Sequence, residues 1–132
     1  MSGDALAAYR TSKVTTADPV GLVVMLFEGA LKAVRKARIH HESGDLGRYA
    51  NEVERATLII GELLAALDTE QGEIPQTLSG IYSYSMSCLV LAMSGDVSKL
   101  DEVELNIGRI ARAWSEAAKS LAESGELDGH VA

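Results

Sequence analysis

Cysteine and proline are scarce in this chain of 132 residues. Cys88 is the only cysteine, which excludes an intrachain disulfide and a metal site built from several thiolates. It lies in the apolar segment MSCLVLAM, which predicts a buried thiol that serves as a small apolar side chain. The two prolines are Pro19 and Pro75, so most of the chain can form uninterrupted helices.

Long apolar runs and an excess of basic charge are also missing. No run approaches the roughly 18 apolar residues of a membrane span, and MSGDALAAYR lacks the basic and apolar regions of a secretory signal. We therefore expect a cytoplasmic protein that does not insert into a membrane. The formal net charge of −7 argues against a nucleic-acid partner, because phosphates attract cations.

One small basic cluster stands out from the acidic background. It falls in the C-terminal half of a predicted helix, where the helix dipole favours positive charge. We interpret it as a solvated face; its members are Lys32, Arg35, Lys36 and Arg38.

Four helical segments are predicted, and helix stops separate them. They cover residues 19–43, 45–67, from about 74 or 75 to before Gly95, and from 96–99 to about 122. Gly44 ends the first segment, and Asp45 is a candidate N-cap for the second. We assign residues 1–17 to a flexible N-terminal arm, 18–122 to a four-helix bundle and 123–132 to a disordered tail.

The second and fourth segments carry apolar residues at alternating spacings of three and four. This spacing is typical of the seam of an antiparallel bundle, and short connections make neighbouring helices antiparallel. We therefore predict an all-α, up-down-up-down four-helix bundle with a buried Trp114. The seam residues are Leu46, Ala50, Val53, Thr57, Ile60, Leu64 and Leu67, and Leu100, Val103, Ile107, Ile110, Trp114, Ala117 and Leu121.

The first and third segments are more apolar than one bundle interior requires. LVVMLF, residues 22–27, contains no polar residue, and IYSYSMSCLVLAM is apolar or small on every side. Either these two helices are the most buried pair, or their surplus apolar surface faces a partner. Tyr82 and Tyr84 are two residues apart, so we expect one in the core and the other at a surface.

Few residues suggest catalysis or metal binding. Helical bundles often hold two metals through Glu-x-x-His pairs, and this sequence contains none. His40 and His41 project about 100° apart at a helix end, a poor geometry for chelation. We expect no enzyme, metal or cofactor. Two alternatives stay open, a phosphotransfer bundle that uses His40 or His41 and a structural bundle that dimerises.

The segment YRTSKVTTADPVGLVVMLFEGAL resembles the start of the FliS family of flagellar export chaperones. Phe27 stands for the family's tyrosine, Glu28 for its aspartate, and Val20 and Gly21 replace an acidic pair. Further likeness follows in GDLGRY, LLAALDTEQGEI, IYSYSMSCLVLAM and LDEVELNIGRIARAW, although the family commonly has basic residues at Ser87–Cys88. The matching residues at the start are Tyr9, Val14, Thr16, Ala17, Pro19, Leu22, Val23, Met25, Leu26, Gly29 and Ala30.

The resemblance, over residues 6 to 120, implies a fold and a function. Family members are cytoplasmic four-helix bundles that bind the disordered C-terminal segment of flagellin. They prevent its premature polymerisation and help to deliver it to the flagellar type III export gate. We expect one-to-one binding, with part of LVVMLF lining a groove for the guest and the arm acting as a removable lid. The expected partner-binding residues are Leu6, Tyr9, Val14, Leu22, Met25 and Leu26.

Overall fold

The computed structural model describes the backbone of residues 19–124 and the side chains of residues 21–124. That part of the chain contains four α-helices, one short 3₁₀ helix at Thr69–Gln71 and no strand, which confirms the predicted all-α class. The predicted arm and residues 125–132 lie outside the described residues. The helices are α1 (Pro19–Glu42), α2 (Leu46–Ala65), α3 (Glu73–Met93) and α4 (Lys99–Ser124).

The helix boundaries follow the predicted caps and stops. The Asp45 carboxylate accepts a hydrogen bond from the Arg48 backbone N–H at 3.1 Å, so Asp45 is the predicted N-cap of α2. Gly44 and Gly95 have φ angles of 77° and 113°, a region that disfavours side chains, and each reverses the chain between two helices. The fourth helix continues to Ser124, two residues beyond the predicted end.

The helices pack as a ring. Each helix packs along its neighbour in sequence, and α4 closes the ring against α1. Within residues 19–124, no Cα atoms of α1 and α3, or of α2 and α4, lie within 8 Å of each other, so the members of each pair lie across the core, and α1 and α3 meet through side chains. The Tyr49 hydroxyl, early in α2, donates to the Ala92 carbonyl, late in α3, at 2.6 Å. Arg38, late in α1, likewise pairs with Asp101, early in α4, at 2.8 Å. Both contacts join the end of one helix to the start of another, as antiparallel packing requires.

The aromatic centre of the core joins α1, α3 and α4. The ring centroid of Phe27, which is fully buried, lies 6.3 Å from that of Tyr82 and 6.1 Å from that of Trp114. Burial raises the pKa of Tyr82 to about 12. Cys88 is also buried, as predicted, while Tyr84 is exposed, so the two tyrosines of α3 divide between core and surface.

The seam prediction is wrong at two positions and only partly confirmed at a third. Leu46 is 64% exposed and Ala117 is exposed, while Trp114 is half-buried rather than buried. Tyr84 of α3 donates a hydrogen bond to Glu102 of α4, so these two residues lie at the same level of the antiparallel pair. Glu73, the first residue of α3, is eleven residues before Tyr84 and therefore lies level with residue 113 of α4. The later residues of α4 therefore extend past the start of α3. Leu46 is exposed because it is the first residue of α2, where the chain leaves the turn.

Candidate partner-binding surfaces

The predicted binding residues of α1 differ in their burial. Leu26 is only 6% exposed and belongs to the core, whereas Leu22 and Met25 are half-buried. The first four residues of LVVMLF thus keep part of their apolar surface outside the core, and the last two are buried. The other predicted binding residues, Leu6, Tyr9 and Val14, lie outside the described part of the chain.

Helix α3 exposes large apolar side chains along its length. The exposed fraction is 74% for Ile74, 64% for Val90 and more than 40% for Tyr84, Leu91 and Met93. The sequence predicted surplus apolar surface on α3 without indicating which residues carry it. Val90 and Met93 border a shallow groove of about 360 Å³ between α2 and α3, which Glu54, Thr57, Leu89 and Ser94 complete.

A larger groove, of about 660 Å³, runs between α1 and α4, and sequence reasoning missed it. The signal that could have revealed it is Leu105, Gly108 and Ala111, an apolar and small-residue stripe beside the predicted α4 seam. We call this the α1–α4 groove. Its lining residues are Glu28, Leu31, Arg35, Asp101, Glu104, Leu105, Gly108, Ala111, Arg112, Ser115 and Glu116.

Ion pairs cross between α1 and α4 at one end of this groove. Arg38 contacts Asp101 at 2.8 Å and Glu104 at 3.0 Å, and Arg35 contacts Glu104 at 3.0 Å. Burial alone would raise the pKa of Glu104, but the hydrogen bonds and charges of the two arginines outweigh it and lower that pKa. Lys32, Arg35 and Lys36 are exposed, which agrees with the interpretation of the basic cluster as a solvated face, whereas Arg38 is half-buried. The sequence did not indicate the acidic partners of Arg35 and Arg38, which are distant along the chain.

A second polar cluster links α3 to α4. The Tyr84 hydroxyl donates a hydrogen bond to one carboxylate oxygen of Glu102, and the Lys99 ammonium group donates to the other at 2.9 Å. The bond to Glu102 raises the pKa of Tyr84, while the bonds from Tyr84 and Lys99 lower the pKa of Glu102. This cluster holds the exposed Tyr84 ring at the contact between α3 and α4.

The two adjacent histidines are placed at the end of α1. His40 and His41 are both half-buried, and the His41 ring centroid lies 5.2 Å from that of Tyr49. This position differs from the exposed mid-helix histidine that phosphotransfer requires. Residues 19–124 contain no group of three His, Cys, Asp or Glu side chains that could hold a metal ion, and none of their helices is apolar over a length that could cross a membrane.

Comparisons with known proteins agree on one family. The model of the family described as flagellar protein FliS matches residues 2–121. The flagellar secretion chaperone FliS of Salmonella typhimurium is 38% identical over 108 residues, which cover 80% of each chain. That of Bacillus subtilis is 32% identical over 126 residues, covering 95% of this chain and 94% of the relative. The chain belongs to the FliS family of flagellar secretion chaperones.

Proposed function

We propose that this chain is a cytoplasmic chaperone that binds the disordered C-terminal segment of flagellin, one to one. Binding prevents premature polymerisation of flagellin and assists its delivery to the flagellar type III export gate. The family supplies the general role, because the relatives are named flagellar secretion chaperones. The identity of the bound segment is our inference.

The observation that carries this proposal is the outward-facing apolar surface of α3. Val90 exposes 64% of its surface and Met93 43%, beside the groove between α2 and α3. A disordered segment gains most of its binding free energy by placing apolar side chains of a newly formed helix in such grooves. The half-buried Leu22 and Met25 on α1 provide further apolar surface for the same guest.

The N-terminal segment has a proposed role as a lid. Its apolar residues Leu6, Tyr9 and Val14 precede α1, which begins at Pro19. We propose that they cover part of the binding surface until flagellin displaces them. A lid of this kind lowers the apolar area that the free chaperone presents to water.

Titration calorimetry tests the proposed binding mode. Full-length flagellin monomers should bind one to one with a negative heat-capacity change, because apolar surface is buried. Folding of the guest should make the entropy unfavourable and the enthalpy favourable. Flagellin that lacks its C-terminal segment should not bind. Equal affinities for the two forms, or a heat-capacity change near zero, would contradict the proposal.

Substitutions on α1 test whether Leu22 and Met25 take part. Leu22→Asp and Met25→Asp should each weaken binding by about tenfold or more, because a carboxylate must then lose its water in an apolar contact. Leu46→Asp is the matched control, since Leu46 is 64% exposed at the first residue of α2, where a helix tolerates an acid. Circular dichroism of each variant checks that the bundle remains folded.

The exposed apolar residues of α3 also suit a second interpretation, a structural bundle that dimerises through them. Sedimentation of the free protein and of an equimolar mixture with flagellin separates the two functions. A monomer that forms a one-to-one complex supports the chaperone, whereas a stable dimer that ignores flagellin supports the structural bundle.

A further inference from the structure

The α1–α4 groove lies on the side of α1 opposite Leu22. Leu31 lines the groove and is nine residues after Leu22. At about 100° per residue, nine residues turn the helix by two and a half rotations, so the two side chains project in opposite directions. A guest that contacts Leu22 must therefore pass around α1 to reach the groove.

The two ends of the groove differ in their charge pairing. At one end, Arg35 and Arg38 neutralise Asp101 and Glu104 through contacts of 2.8–3.0 Å. No such pairing occurs at the other end: within residues 21–124, the charged groups there have no oppositely charged partner within 4.0 Å. These groups are Glu28, Arg112 and Glu116, which together carry one excess negative charge.

The wall between these two ends contains a buried glycine. A Cβ atom added to Gly108 would lie 3.4 Å from Nη1 of Arg112. Apart from the two adjacent residues and the nearby backbone of α4 itself, no other atom would lie within 4 Å of it. The Arg112 guanidinium thus lies beside Gly108, at the end of a flexible side chain that can move away. Without a side chain at residue 108, a second helix can approach α4 closely.

We infer that the α1–α4 groove seats a helical part of the flagellin segment, with a basic guest side chain held between Glu28 and Glu116. The guest's small or apolar side chains then pack against Leu31, Gly108 and Ala111. Charge complementarity selects a basic helix, because the unpaired end of the groove is acidic while the other end is already neutralised. This inference rests on the proposed function and adds to it the second surface and the charge of the guest.

Charge reversal tests the acidic end of the groove. The double variant Glu28→Lys, Glu116→Lys should bind full-length flagellin about tenfold more weakly at low salt, because like charges then oppose each other. The loss should shrink as salt screens the repulsion. The matched control is Glu42→Lys, Glu70→Lys, which makes the same change of charge at exposed residues outside the groove.

Steric blocking tests the glycine wall. Gly108→Leu should weaken binding about tenfold or more, because the added side chain occupies the space of the guest helix. Gly47→Leu is the control, since Gly47 lies in the first turn of α2, outside both grooves, and its Cβ position meets only a carboxylate oxygen of Asp45, at 3.8 Å. Circular dichroism and thermal melting should show that both variants fold.

A charge swap identifies the guest residue directly. Each lysine or arginine of the flagellin C-terminal segment is replaced in turn by glutamate. One of these flagellin variants should bind the unaltered chaperone weakly, and its affinity should recover with the chaperone variant Glu28→Lys, Glu116→Lys. Recovery is expected only if the two sites face each other.

The outcomes separate this inference from the proposed function. Loss of binding on truncation of flagellin, with no effect of the charge or Gly108 variants, overturns the inference and leaves the function standing. Binding that survives truncation overturns both. If sedimentation shows that the variants disrupt a dimer of this chain instead, the groove seats a second copy and the inference is wrong.

Discussion

The Phe27 and Trp114 rings meet edge to face, with centroids 6.1 Å apart and planes inclined by 66°. This arrangement places the positive edge of one ring against the negative face of the other. Phe27 is fully buried, whereas Trp114 is half-buried and its indole N–H has no hydrogen-bond partner in the described structure. The pair joins α1 to α4 and adds an apolar contact to the ion pairs of Arg35 and Arg38.

Truncation of these two rings should have unequal effects on stability. Phe27→Ala should lower the free energy of unfolding by about 3–5 kcal/mol, because it opens a cavity in the core. Trp114→Ala should cost less, about 2 kcal/mol, because part of the indole is already exposed to solvent. Urea unfolding followed by circular dichroism measures both values. A larger loss for Trp114→Ala would contradict the burial that we describe.

Two glycines should respond to alanine in opposite ways. Gly80→Ala should stabilise the protein by about 0.5–1 kcal/mol, because Gly80 lies inside α3 and a methyl group there meets nothing within 4 Å. Gly95→Ala should destabilise it by about 1–2 kcal/mol, because the φ angle of 113° strains any residue with a side chain. Thermal melting of the two variants gives the comparison, and equal shifts would show that conformation does not control the Gly95 turn.

The ion pairs of Glu104 should make stability depend on pH. The folded protein lowers the pKa of Glu104 below the ordinary 4.5, so the charged carboxylate stabilises the fold above that pH. The contribution is lost as the pH falls through the lowered value. Glu104→Gln should therefore cost about 1 kcal/mol at pH 7 and much less near pH 3. Glu70→Gln, at an exposed residue, is the control and should show no such difference between the two pH values.

Removal of residues 1–14 tests the proposed lid. The deletion removes Leu6, Tyr9 and Val14 but leaves all four described helices, because α1 begins at Pro19. We expect a nearly unchanged melting temperature and stronger fluorescence of a dye that binds apolar surface. A large loss of helicity would show instead that this segment belongs to the core.

Local sequence signals predicted most of the fold. Asp45 and Gly44 marked the first junction, because caps and chain reversals depend on a few neighbouring residues. Burial was harder to predict where it depends on where a neighbouring helix begins. Trp114 fits the seam pattern, but α4 extends past the start of α3 and leaves part of the indole outside the core.

The candidate site was less accessible to sequence reasoning. The surplus of apolar residues in α3 was evident, but periodicity alone could not show that Val90 and Met93 border a groove. The pairing of Arg38 with Asp101 joins residues 63 positions apart, and no local pattern indicates such a contact. The α1–α4 groove exists only when the ring of helices closes, so its lining becomes visible only in three dimensions.

The ring arrangement of the helices also bears on how the chain folds. Within residues 19–124, three of the four interfaces between adjacent helices join consecutive helices, and the fourth joins α1 to α4, the two helices farthest apart in sequence. Chains dominated by such local contacts fold in microseconds to milliseconds, because little loop-closure entropy is lost before contacts form. We expect closure of the α1–α4 interface to cost the most chain entropy, because it joins the two helices farthest apart in sequence. We therefore expect it to form late, and substitutions of Arg38 or Asp101 to speed unfolding more than they slow folding.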